Sequence, residues 1–117
     1  MTTNRSDEIP KEPVARRDDL AYFDRTDPKA HFGLPAHPDI EWQLIYYSKF
    51  TEVRNEPLFI RLWHSAQSLI REWECPLLPN PSVDLKSITD PAVTTIIMWA
   101  GTKVSEYVNG LDALPKV

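Results

Sequence analysis

Eleven prolines set against three glycines divide this 117-residue chain into segments before any hydrophobic pattern is considered. Proline fixes φ and has no N–H to donate, so it belongs at element edges, in first helical turns or in extended connectors. Pro10, Pro13, Pro28, Pro35 and Pro38 all fall in residues 1–38. Pro76, Pro79 and Pro81 crowd one short stretch, while Pro57 and Pro91 each stand at the head of an apolar run. The punctuation implies a proline-bearing leading segment, a stiff connector and two sharply started helices.

The leading segment is polar and nearly charge-balanced, with Arg5, Lys11, Arg16, Arg17, Arg25 and Lys29 set among seven acids. Residues 1–13 carry too little apolar surface to offset the entropy of ordering, so disorder is expected there. Leu20, Tyr22, Phe23, Phe32 and Leu34 are too apolar for a spacer. They suit an arm that folds over this protein's own core or over a partner.

From Asp39 the pattern is helical. Asp39 is a suitable N-cap, and Ile40, Leu44 and Tyr47 share one face of a helix over 39–54, with Trp42, Ile45, Tyr46, Phe50 and Val53 widening the apolar surface. A helix so apolar is either central in the core or has a second face for a partner. Asn55-Glu56-Pro57 breaks it. Over 57–74, Phe59, Leu62, Trp63, Ala66, Leu69, Ile70 and Trp73 follow three-four spacing. A stiff connector and a short turn of helix over 83–88 come next. Asp90-Pro91 caps a third helix whose apolar face runs from Val93 to Leu111, with Gly110 at its stop. The β-branched run Val93–Ile97 also suits a strand, but the cap and the unbroken helical period favour a helix. The adjacent Ala100 and Gly101 would let another backbone approach closely. The expected fold is all-α: a small three-helix bundle over 39–117 with an extended, partly disordered N-terminal arm over 1–38. The short break at Asn55–Pro57 makes the first two helices an antiparallel hairpin.

The balance of 13 Lys and Arg against 17 Asp and Glu, a net charge of −4, leaves no basic stripe for nucleic acid. The longest apolar run, Ile96–Ala100, is far below the ~20 residues of a membrane span. Residues 1–9 lack the apolar core of a signal peptide, and the expectation is a soluble cytoplasmic protein, in the host cytoplasm if viral. Cys75 is the one cysteine, so no internal disulfide forms.

No catalytic set emerges. His31, His37 and Cys75 have no metal-ligand spacing. His64 and Cys75 sit about 16 Å apart along one helix, too far for a nucleophile and its base. Asp18-Asp19 and Glu72/Glu74 read as solvated carboxylates, and three scattered glycines make no phosphate loop. Catalytic, cofactor and metal residues are therefore expected to be absent, and the protein is expected not to be an enzyme.

Aromatic residues carry the remaining signal. Trp42, Tyr46, Tyr47, Phe50, Trp63, Trp73 and Trp99 either fill the core or leave a patch that docks another protein. Tyr22, Phe23, Trp42, Tyr46 and Phe50 are the candidate partner-binding residues, and self-association through them is a further option. The stretch Trp99-Ala100-Gly101, Val104-Ser105, Val108-Asn109, Leu111-Asp112 and Leu114-Pro115-Lys116-Val117, with the polar leading segment and helical body, resembles small tail assembly chaperones of tailed phages over residues 40–117. That resemblance implies a non-catalytic, helix-rich phage morphogenesis protein that binds the tape-measure protein, or a virion accessory protein. The alternative is a small regulator or inhibitor that grips a partner enzyme through an aromatic helical face.

Overall fold

The computed structural model describes residues 15–111, so the expected disorder over 1–13 and the quoted ending over 112–117 lie outside the described residues. The fold is α+β, which corrects the all-α expectation. Strand β1 (Leu20–Thr26) and strand β2 (Lys29–Pro35) form an antiparallel hairpin around Asp27–Pro28, a cis peptide. Helix α1 (Ile40–Glu52) and helix α2 (Leu58–Gln67) follow, then strand β3 (Glu72–Glu74), a 3-10 turn at Leu85–Ser87 and helix α3 (Pro91–Asn109). The sheet order is β1-β2-β3, with β2 central and both neighbours antiparallel.

Residues 20–35 of the expected arm supply the first two of the sheet's three strands. These residues alternate with the two-residue period of a strand: Ala30, Phe32 and Leu34 are buried, while His31 points outward between them. Phe23 pairs with Phe32 across the hairpin, and the rings stack at 5.1 Å. Of the residues considered for two destinations, Leu20, Phe32 and Leu34 are buried in the chain's own fold and Phe23 packs against its core, while Tyr22 is only half-buried. Phe32 also meets Trp73 at 6.1 Å and Trp99 at 5.2 Å, so one ring joins all three strands to α3.

The second helix stops at Gln67, well short of residue 74. Leu69, Ile70 and Trp73 fit a helical period and also fit a turn followed by a strand. Pairing Glu72–Glu74 against β2 satisfies backbone groups that would otherwise lie unpaired at a buried strand, and that tertiary gain overrides the local pattern. Trp73 lands opposite Phe32, and its indole N–H donates to the Leu78 carbonyl at 2.7 Å.

The helical expectations that stand are at the caps and at the close contact. Asp39 accepts from the Trp42 amide at 2.8 Å and Asp90 from the Ala92 amide at 2.9 Å. Residues 93–97 are helical. Helix α1 is tied to α2 and to the turn after it, Phe50 to Arg61, Glu52 to His64 and Trp42 to Leu69. At Gly101 a Cβ would lie 3.2 Å from Leu62 Cβ, so α3 crosses α2 at a distance that a side chain would resist. Trp63, Ala66, Leu69, Ile96, Ile97, Ala100 and Val104 fill the space between sheet and helices. Leu62 and Ile70, which share the three-four spacing, are half-buried.

Candidate functional site

Helix α1 has more apolar surface than the core can take. Trp42, Gln43 and Tyr46 turn inward. Ile40, Leu44 and Tyr47 turn outward, with 51%, 53% and 40% of their surface exposed. Together with exposed Thr51 they are spaced by four, three and four residues, the seam spacing by which one helix packs along another. The Tyr47 hydroxyl donates to Asn109 Oδ1 at 3.4 Å, tying one rim of this stripe to the end of α3. Glu41, also exposed, flanks the other end.

The five candidate partner-binding residues do not gather into an exposed patch. Trp42 and Tyr46 are buried at 3% and 4% exposure. Burial pushes the Tyr46 hydroxyl above the ordinary phenol range, with a smaller opposing effect from its hydrogen bond to Ser105. Phe50 stacks on Tyr46 at 6.0 Å and is covered by the Arg61 guanidinium, 3.7 Å from its ring centroid. Phe23 faces the core against Phe32 and Tyr107. Tyr22 lies on the outer face of the sheet, where its hydroxyl donates to Glu72 Oε1 at 2.9 Å and accepts from the Arg17 amide at 3.2 Å. Ile40 and Leu44, by contrast, are more than half exposed. Their shared face is visible in the sequence, but which face meets the core depends on where the sheet lies.

The titratable groups form small exposed pairs. His64 Nε2 lies 3.0 Å from Glu52 Oε1, and that hydrogen bond, helped by Lys49, holds the Glu52 carboxyl below its usual range. Arg16 holds Asp24 down in the same way, as Arg17 does Asp19. His31 sits across the outer sheet face, 3.4 Å from Glu74 and 3.9 Å from Glu72. Cys75 is buried and free, at the end of a strand and not of the helix that carries His64. Among the described residues no three His, Cys, Asp or Glu side chains converge as a metal site, and no helix is long and apolar enough to cross a membrane. What the arrangement offers is an uncovered apolar seam on a helix anchored by its opposite face. Comparison of the chain with protein-family models, curated proteins and solved structures finds no match.

Proposed function

We propose that this chain is a non-enzymatic protein-binding domain that receives an apolar-striped helix of another protein on the outer face of α1. The observation that carries the reading is the exposed seam Ile40, Leu44, Tyr47 and Thr51, whose heptad-like spacing matches what a second helix presents. The buried side, through Trp42 and Tyr46, fixes the helix so that the seam is offered without rearrangement. An assembly role is the narrower form of this proposal. A chaperone of the tail-assembly kind binds a long helical protein, and such a partner suits a helical seam. The regulator reading uses the same face against an enzyme.

The test places a photo-crosslinking phenylalanine derivative at position 44, with the same group at exposed Met98 on α3 as control. Adducts formed in the producing cell are mapped by mass spectrometry. The expected adduct from position 44 is a segment of another protein with apolar residues at alternating three and four spacing. Leu44→Glu should abolish its capture while leaving thermal unfolding unchanged, because an exposed substitution of this kind shifts stability by only about 0.5 kcal/mol. Identical adducts from positions 44 and 98, or an adduct only to a second copy of this chain, would sink the proposal. An adduct to one globular enzyme would favour the regulator reading.

A further inference from the structure

Strand β1 is an edge. It pairs with β2 on one side, and among the described residues no strand lies on the other. The Ala36 N–H donates to the Asp19 carbonyl at 2.9 Å in the register of the hairpin, so Ala21, Phe23 and Arg25, at every second position after Asp19, are the residues that bond to β2. The Gly33 carbonyl, opposite Tyr22, accepts instead from the Arg71 N–H at 2.9 Å on the far side of β2, as that phase requires. Tyr22, Asp24 and Thr26 therefore direct their main-chain N–H and C=O groups away from the sheet, and among the described residues nothing meets them.

Edge strands are normally guarded by a proline, a lysine, a bulge or shortness. β1 has seven residues, contains neither proline nor lysine, and runs one for one with β2 from Leu20 to Thr26. Its two charges are turned back on their own chain: Asp24 accepts from Arg16 at 3.1 Å, and Arg25 donates to the Asp27 and Pro28 carbonyls, each at 3.1 Å. Phe23, stacked on Phe32, stays half-buried beside the open row. We propose that two copies of this chain join edge to edge through β1, antiparallel about a two-fold axis at Phe23. Tyr22 of each copy then exchanges main-chain hydrogen bonds with Asp24 of the other, and Phe23 faces Phe23 at the closer, non-hydrogen-bonded spacing. The aromatic row Trp73, Phe32, Phe23 continues across the axis into its own image. Asp24 meets Tyr22 and Arg25 meets Ala21, so like charges never stand opposite, whereas an axis at Asp24 would set two carboxylates against each other. One patch serves both copies, as a two-fold interface requires. The contact uses no residue of the α1 seam and stands or falls separately from the proposed helix docking.

Sedimentation velocity of the full chain over the micromolar range should show a monomer passing to a dimer. In NMR of dimers mixed from isotope-labelled and unlabelled chains, filtered contacts should join the Phe23 Hα protons of the two copies. Asp24→Pro removes an outward N–H and no bond to β2, a position where an edge strand tolerates proline. It should stay monomeric at every concentration while keeping its far-ultraviolet circular dichroism. Leu44→Glu should leave the dimer intact. A wild-type chain that remains monomeric to millimolar concentration, a dimer without the Phe23 contact, a folded Asp24→Pro chain that still dimerises, or a dimer dissolved by Leu44→Glu would each overturn the proposal. Should Asp24→Pro fail to fold, the presence or absence of the Phe23 contact in the wild-type dimer decides the matter alone.

Discussion

Gln43 is 1% exposed, and among the described residues its Nε2 has no hydrogen-bond partner. An unsatisfied buried donor keeps its desolvation penalty, of order 1–3 kcal/mol. Gln43→Leu is therefore expected to be neutral or stabilising in a urea titration. A loss above about 1 kcal/mol would show that the amide makes a bond that matters. Tyr107 is the opposite case, a polar group placed well. Its hydroxyl donates to the Pro35 carbonyl at 2.6 Å and the Ala36 carbonyl at 3.2 Å, and burial raises its pKa. A raised folded-state pKa means that the phenol's contribution is complete below the unfolded value near 10 and is lost as pH climbs through the folded value. Tyr107→Phe should cost about 0.5–1.5 kcal/mol at neutral pH and soften the alkaline loss, leaving the part due to Tyr46. An alkaline unfolding curve unaltered by the substitution would remove Tyr107 from that account.

At the scale of elements, the hairpin β1–β2 is the piece that a helical reading misplaces, and it makes the sharpest test. Phe32 is fully buried and touches β1, β3 and α3, so Phe32→Ala should cost ~3–5 kcal/mol by denaturant titration, while an arm reserved for a partner would tolerate it. Strong amide-exchange protection at the paired residues of β2 is expected alongside. Gly101→Val should also destabilise, by about 1–3 kcal/mol, because the new methyl groups meet Leu62 where α3 crosses α2. The sequence already carried the capped starts of α1 and α3, the helical character of residues 93–97 and the Gly101 approach, because caps and small residues act locally. It carried the alternation of Ala30, Phe32 and Leu34 too, but a hairpin this short is marginal by itself and gains its stability from β3 and α3. Leu69, Ile70 and Trp73 are ambiguous for the same reason: only the presence of β2 decides between one more helical turn and a strand. The candidate site was half legible. Ile40, Leu44 and Tyr47 share a face in the sequence and are exposed together, while of the aromatic residues expected to dock a partner Trp42 and Tyr46 are buried.

For the molecule as a whole, acid is the condition to which the surface pairs respond together. Asp19, Asp24 and Glu52 each have a folded-state pKa lowered by a hydrogen-bonded cation or imidazole. A lowered pKa contributes stability that is present above the unfolded carboxylate values near 4 and fades as pH falls through the folded ones. Thermal midpoints should therefore hold steady down to about pH 5 and decline below pH 4, with a shallower decline at high salt, since all three carboxylates are exposed. A midpoint that rises on acidification would contradict the pairing. The indole donors reach over the same molecule: Trp42 to Leu69, Trp73 to Leu78 and Trp63 to Val83. All three acceptors lie between α2 and the 3-10 turn, in the segments on either side of β3. Three of the four tryptophans are thus fastened to the segments on either side of β3, so a loosening of those segments should change the colour of the protein's own fluorescence.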